Sequence, residues 1–154
     1  MAIRLSTGLV QEMMKTGGKS MADAMLNGWM EIRNGAQPAN ADAIETGTQL
    51  VKITLASGAH TPGSPTNGIT LGDAVGGVLA KLAGQVWSGL GLANGTAGYW
   101  RYHSNADTGG ASTTFSRIDG SIGTSGADMI MANTTISLGG TTTIDTVAIT
   151  LPKA

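Results

Sequence analysis

The sequence predicts an all-β fold, a single jelly-roll-like β-sandwich with a short helical N-terminal segment. After Gly47 the apolar residues alternate with polar ones or form short runs rich in Thr, Val and Ile. Turn residues separate these runs, and Gly supplies 24 of the 154 residues, so the strands should be short and closely spaced. Helix caps occur only before Asn27. We expect one domain over residues 1–154, helical at 1–28 and sandwich at 29–154, with a barrel as the alternative.

Two short helices are predicted near the N-terminus. Ser6 and Thr7 cap the first, whose apolar residues share one helical face: Leu9, Val10, Met13 and Met14. The glycine pair that follows ends this helix. Ser20 with Asp23 three residues later forms a capping box for a second helix, which Asn27 and the glycine after it end.

Strands are predicted wherever a β-branched or aromatic run lies between turn residues. The predicted strands are Trp29–Arg33 and residues 48–56, 69–71, 85–88, 96–103, 113–118, 128–131, 134–138 and 142–151. Gly139 and Gly140 predict a hairpin between the last two. Residues 60–67 contain two prolines and predict an exposed loop, while residues 76–84 predict a helical turn or an irregular crossover. We expect Asp119 to lie in a turn after a strand end and to bond the turn backbone.

The composition disfavours several classes of function. A formal charge of −1 and a pI near 6.0 argue against a general nucleic-acid binder. The chain contains no Cys, which excludes disulfides and thiolate metal sites. No run approaches the ~20 apolar residues that span a bilayer, and the first residues lack the apolar core of a signal peptide. We therefore expect synthesis in a cytoplasm and no membrane partner.

Motifs for catalysis or cofactor binding fail on spacing. Residues 16–20 resemble the end of a phosphate-binding loop, but that motif requires a Gly where this chain has Met13. Residues 89–95 lack the final spacing and the following helix of a dinucleotide loop. His60 and His103 do not have the spacing of a local metal motif, and no G-x-S-x-G nucleophile elbow is present. We predict a protein that is not an enzyme, with no catalytic residue, cofactor or metal.

One predicted strand concentrates aromatic residues beside an arginine. Its residues are Tyr99, Trp100, Arg101 and Tyr102, a composition enriched at binding hot spots, so all four are candidate partner contacts. In a strand, Tyr99 and Arg101 face one way while Trp100 and Tyr102 face the other. The shortage of other large core residues favours an alternative, in which one pair packs in the core and the other lies outside. Stacking of these aromatic rings on sugars would instead indicate a glycan-binding β-sandwich.

Three segments, taken in this order, resemble small virion proteins of tailed bacteriophages. They are NGAQPANAD at residues 34–42 before GTQLV at 47–51, GTAGYWR at 95–101, and RIDGSIGTSGAD at 117–128. The similarity runs over most of the chain. It implies a structural role, foremost that of a capsid decoration or cement protein with a jelly-roll-like fold, and it supplies no active-site motif.

The resemblance also implies partners and a location. The partners would be the major capsid protein and copies of this chain, which would form a homo-oligomer on the capsid surface of the virion after synthesis in the bacterial host cytoplasm. A neck, tail or fibre component is the alternative within the virion. Flexible Met side chains near the N-terminus are candidate contacts, with packing on the protein's own sandwich as an equal alternative: Met13, Met14, Met21, Met25 and Met30.

Overall fold

The computed structural model describes residues 3–151, and their secondary structure is predominantly β. Strands make up 35% of the chain and helices 8%, which confirms the all-β class. The elements in chain order are β1 (Arg4–Leu5), α1 (Thr7–Met14), α2 (Met21–Ala24), β2 (Trp29–Arg33), β3 (Gln49–Leu55), β4 (Val78–Ala80), β5 (Trp87–Leu90), β6 (Gly95–Thr96), β7 (Tyr99–His103), β8 (Arg117–Gly123), β9 (Met129–Ile130), β10 (Thr135–Ile136), β11 (Thr141–Ile144) and β12 (Ala148–Thr150). Neither helix is long and apolar enough to cross a membrane.

One large sheet organises the molecule. Its strand order is β1-β8-β7-β2-β3-β5-β11, with antiparallel pairing throughout, and β9 adds to β8 in parallel. Two small antiparallel sheets accompany it, β6 with β10 and β4 with β12. At the centre of the sheet β2 pairs with β3, the next strand in the chain, and with β7, which lies about seventy residues further along.

The hydrophobic core lies against one face of the large sheet. Alternate residues of the central strands point into it, among them Ile32, Trp100 and Ile118, all at most 1% exposed. The helices and the small sheets close this layer with residues such as Met25 and Ile149. The hydroxyl of Tyr102 crosses the core and donates to the carbonyls of Met25 and Ile69, at 3.1 and 2.9 Å. Its burial without a charged partner raises the pKa of Tyr102 well above the ordinary value.

The two predicted helices and their N-terminal caps are observed, but both helices end earlier than predicted, α1 at Met14 before the glycine pair and α2 at Ala24 before Asn27. The Ser6 hydroxyl accepts a hydrogen bond from the Leu9 amide at 3.1 Å and donates to the Phe115 carbonyl at 2.8 Å, so the cap also attaches α1 to the loop before β8. The Ser20 hydroxyl accepts from the Asp23 amide at 3.1 Å and donates to the Asp23 carboxylate at 2.8 Å. The N-terminal segment is therefore part of the packed structure.

Several predicted strands differ from the observed ones. The run 96–103 divides into β6 and β7 because Gly98 leaves the first pairing and bonds the Arg33 carbonyl, where any Cβ would clash with the backbone of Gly35. The hairpin predicted around Gly139 is wrong. A turn does occur there, but β10 pairs with β6 and β11 pairs with β5. Residues 76–84 contain β4 in place of a helical turn.

Candidate functional site

The face of the large sheet opposite the core is lined with charged side chains. The register aligns Glu31 of β2 with Arg101 of β7, and Arg101 with Asp119 of β8. One row further along, His103 aligns with Arg117. With two residues from covering loops and one more from β2, these make up what we call the charged face: Glu31, Arg33, Glu45, Arg101, His103, Asp107, Arg117 and Asp119. It is the densest cluster of chemically active side chains among residues 3–151.

Arg101 occupies the centre of the charged face and is fully buried. Its Nε and Nη2 donate to the two carboxylate oxygens of Asp119, both at 2.7 Å, which is the bidentate geometry that a planar guanidinium favours. Its Nη1 donates to the Ala43 carbonyl at 2.8 Å and to Glu45 Oε1 at 3.0 Å. These acceptors raise the pKa of Arg101 despite its burial, so it stays charged. Burial raises the pKa of Asp119, and the two bonds from Arg101 oppose that effect.

A second bidentate pair joins β8 to the loop that precedes it. Nε and Nη2 of Arg117 donate to the Asp107 carboxylate at 2.6 and 2.8 Å, and both side chains are fully buried. The amide of Gly109 donates to the same carboxylate at 2.9 Å, which explains why a turn at this point presents Asp107 inward. These bonds and a nearby imidazole hold the pKa of Asp107 well below its usual range even though it is buried.

His103 links the two carboxylates of the charged face that lie nearest to it. Its Nδ1 lies 2.7 Å from Asp107 Oδ2, and its Nε2 lies 3.1 Å from Glu31 Oε1. The Trp29 ring stacks on the His103 imidazole with 3.9 Å between the ring centroids. The Lys52 ammonium lies 4.6 Å from the centroid of the same Trp29 ring. Desolvation alone would lower the pKa of His103, but the two carboxylate partners raise it, and the Glu31 pKa is lowered in turn.

The charge balance indicates which form of His103 this arrangement holds. The charged face contains the carboxylates of Glu31, Glu45, Asp107 and Asp119 against the guanidiniums of Arg33, Arg101 and Arg117. A protonated imidazole supplies an N–H to each carboxylate, as both contacts require, and its charge offsets the one excess carboxylate of this set; Lys52, aligned with Glu31, adds a further cation beside it. The geometry therefore fits an imidazolium.

Two loops cover the charged face and separate it from solvent. Glu45, from the loop after β2, accepts from the Gly110 amide at 2.9 Å and thereby joins the loop at 34–48 to the loop at 104–116. The Tyr99 hydroxyl donates to the Thr46 carbonyl and accepts from the Thr46 amide, both at 2.9 Å. Four surface clefts, of which one between the helices and the second loop measures about 380 Å³, are lined by other residues.

One group within the charged face has donor atoms close enough to suggest a metal. Ligand atoms of Glu31, Glu45 and His103 lie within 4.8 Å of one another. Each already has a cationic or N–H partner, since Glu45 accepts from Arg101 and Glu31 accepts from Arg33 at 2.8 Å. A metal ion would have to displace these guanidinium contacts and would meet their positive charge, so the arrangement fits ion pairing better than metal binding.

The aromatic strand does not present the contact surface that its composition predicts. Trp100 and Tyr102 point into the core, as one alternative requires, but Tyr99 and Arg101 are also buried, beneath the covering loops. All four are at most 1% exposed, so none contacts a partner in this conformation. A glycan-binding role loses its support, because no face of these rings is free for stacking.

Three of the five methionines that were candidate contacts are also buried. Met21, Met25 and Met30 are buried core residues, which excludes them as contacts because the helices pack on the protein's own sheet. Met13 is half-buried, and Met14 is 80% exposed. Only these two stay available as candidate contacts.

The charged face was not predicted from the sequence. Asp119 is not in a turn, because β8 continues through it and its carboxylate bonds Arg101. A usable signal existed, since charged or polar residues recur every second position in Trp29–Arg33 and Tyr99–His103. What alternation does not reveal is that loops bury the polar side.

Comparisons with known proteins add no relative. No family model, no curated protein and no solved structure matches the chain.

Proposed function

We propose that this chain is a non-enzymatic structural protein of a tailed-bacteriophage virion, a decoration or cement protein that clamps neighbouring major capsid subunits and stabilises the head. The observation that carries the proposal is a partial inversion in the distribution of side chains. Five charged groups of a kind that ordinarily faces solvent are buried and paired, while several large apolar groups outside the core are exposed. Such a surface suits contact with other protein chains better than it suits catalysis in solution.

The inversion is most evident in the charged residues. The chain has 9 Lys and Arg and 10 Asp and Glu, and five of these are fully or almost fully buried: Glu31, Arg101, Asp107, Arg117 and Asp119. The outer surface is correspondingly poor in charge. A surface of this kind is easier to desolvate on association, because fewer hydrated ions must lose water.

Three of the exposed apolar residues lie together at one end of the large sheet. Leu90 and Leu92 flank the point where Gly91 pairs with the turn at 139–140, and Leu138 lies beside the same turn. Their exposed fractions are 53%, 54% and 66%. Met14, on the helical side, is a second exposed apolar group and fits the adaptable contact predicted for the N-terminal segment.

The buried ion pairs support the same role through rigidity. A clamp must keep its shape under load from the contacts on either side of it. The hydrogen bonds and ion pairs of the charged face link three strands and two loops, and two of the ion pairs are bidentate. Within this proposal the large sheet forms one layer of a jelly-roll-like sandwich, and the two small sheets belong to the second layer. Modest contacts repeated over a symmetric shell would add through multivalency.

Purified virions of the virus that encodes the chain provide the test. We expect the protein on the capsid surface in many copies, and particles lacking it should release their genome at a lower temperature, because contacts that favour the assembled state are gone. Readdition of wild-type protein should restore heat resistance, whereas the variant Met14→Glu should restore it less well than the matched variant Met25→Leu, which alters only the core. Location along the tail would favour the neck, tail or fibre alternative, and absence from the particle would overturn the proposal.

A further inference from the structure

The large sheet has one guarded end and one open end. At the first end, β1 contains only Arg4 and Leu5, leads directly into the cap of α1, and uses the Arg4 side chain to bond the Pro38 carbonyl. Short, charged edge strands of this kind resist pairing with another sheet. At the other end, β11 pairs with β5 on one side, and no strand among residues 3–151 pairs with its outer side.

The outer side of β11 has free backbone groups at known positions. Gly91 donates to the Gly140 carbonyl at 2.8 Å, and the register continues from this pair along β11. Because hydrogen-bonded and non-bonded pairs alternate in antiparallel sheets, Thr142 and Ile144 bond β5 while the N–H and C=O of Thr143 face outward. The side chain of Thr143 is exposed, and a groove of about 300 Å³ lies between residues 143–146 and 129–133.

β11 is short, at four residues, but its sequence lacks the other features that usually protect an edge. It reads Thr-Thr-Thr-Ile, with high β propensity and without Lys, Pro or a bulge. Leu90 and Leu138 lie at its beginning and are exposed. An unprotected edge beside an apolar patch is suited to accept another strand.

We propose that β11 pairs with β11 of a second copy of this chain, antiparallel and about a two-fold axis through Thr143. A second copy fits because β11 of one molecule offers β11 of another an edge of the same length and sequence, while the two-residue β1 at the other end of the sheet is protected. Pairing of like edges about a two-fold axis gives a closed dimer in place of a fibre. The inference deepens the assembly role proposed above and rests on it for its biological setting, since a pair that forms in solution would be reinforced by the high local concentration that copies on a shell provide.

The Asp145 carboxylate favours this orientation; the Lys81 ammonium, which donates to the Ile144 carbonyl at 3.2 Å, is the other charge beside the strand. Asp145 follows the strand directly, and pairing about Thr143 sets it opposite Thr141 of the second copy. The two Asp145 carboxylates then lie about 14 Å apart at ~3.4 Å per residue, beyond the Debye length of about 8 Å at physiological salt. A parallel arrangement would instead place them side by side. An axis through Thr142 would bring the Gly139 turn into the ladder, where a φ of 75° interrupts pairing.

The decisive experiment replaces Thr143 with residues that alter only the outer edge. Sedimentation equilibrium of the wild-type protein should show a monomer–dimer equilibrium, and Thr143→Pro should weaken it at least about tenfold, because proline removes an N–H that faces outward and leaves the bonds to β5 intact. Thr143→Val keeps the N–H and the shape, and it should dimerise like the wild type. Circular dichroism and urea unfolding should be alike for all three monomers.

A charge exchange identifies the partner as a second copy. Thr143→Lys and Thr143→Asp should each be monomeric, because like charges meet at the axis, and an equal mixture of the two should dimerise. A wild-type monomer at every accessible concentration, an undiminished dimer in Thr143→Pro, or a mixture that stays monomeric would overturn the pairing. None of these results bears on the presence of the protein in particles, so the proposed function is tested separately.

Discussion

Removal of the Asp107 carboxylate should be among the most damaging changes on the charged face. Asp107→Ala deletes the acceptor of bonds from Arg117 at 2.6 and 2.8 Å and from His103 at 2.7 Å. Charge-assisted bonds contribute about 1.5–3 kcal/mol each, which sets an upper bound because the site relaxes when they break. Two buried cations are left without their partner, so we expect a loss of about 3–5 kcal/mol in the free energy of unfolding. A domain of this size is stable by only about 5–15 kcal/mol.

Urea unfolding followed by Trp fluorescence at neutral pH measures this loss. The matched control is Asp73→Ala, which removes an exposed carboxylate and should change stability by no more than about 0.5 kcal/mol. The double variant Asp107→Leu with Arg117→Met removes both charges and should recover much of the loss, because well-packed apolar residues can replace a buried ion pair. A loss below about 1 kcal/mol for Asp107→Ala would refute the view that these pairs stabilise the domain.

Two further predictions concern pH and packing. The pKa of His103 is raised above its ordinary 6.5, so the stability that His103 contributes is complete below about pH 6.5 and is lost as the pH rises through the higher folded-state value. The pKa values of Asp107 and Glu31 are lowered, so the stability that these carboxylates contribute is lost only on acidification, below their ordinary values of 3.8 and 4.5. Unfolding measured across this range should show stability falling on the alkaline side. His103→Gln should flatten that limb, and a slope identical to that of the wild type would contradict the assignment. Gly120→Ala places a Cβ against the buried Trp100 ring and should lower the free energy of unfolding, measured in urea, by about 1–3 kcal/mol. The control Gly72→Ala, whose added Cβ would have its nearest atom at 3.7 Å, should lower it little. Equal losses in the two variants would show that the Trp100 ring shifts to make room for the added Cβ.

The local features of the fold were predictable because they depend on neighbouring residues. Ser6 and Ser20 cap helices through bonds to amides three residues away, and β2 matches its predicted bounds. The partners of each strand were not predictable in this way. The run 142–151 reads as one strand, yet it pairs with β5 in its first part and with β4 in its second, and only the distant partner strands determine where it divides.

The charged face shows a different limit of sequence patterns. The alternation in Tyr99–His103 correctly separates its two faces, but a polar face is ordinarily the solvated one. Burial of Arg101 depends on Glu45 and Ala43, which lie more than fifty residues away in an unremarkable loop. Patterns within a strand cannot show that a loop will supply such acceptors.

The two faces of the large sheet together restrict its strands to one register. Sheets with one wet face tolerate some slippage on that side, since water accepts whatever side chain arrives. Here a shift of β7 by one residue would move Arg101 and His103 into the hydrocarbon interior and place Trp100 and Tyr102 among carboxylates. Both displacements cost free energy, because charged groups would be buried without partners on one face and apolar rings would lie among carboxylates on the other. Misaligned forms should therefore be scarcely populated, and every copy of the chain should present the same outer surface, as the proposed role on a regular shell would require.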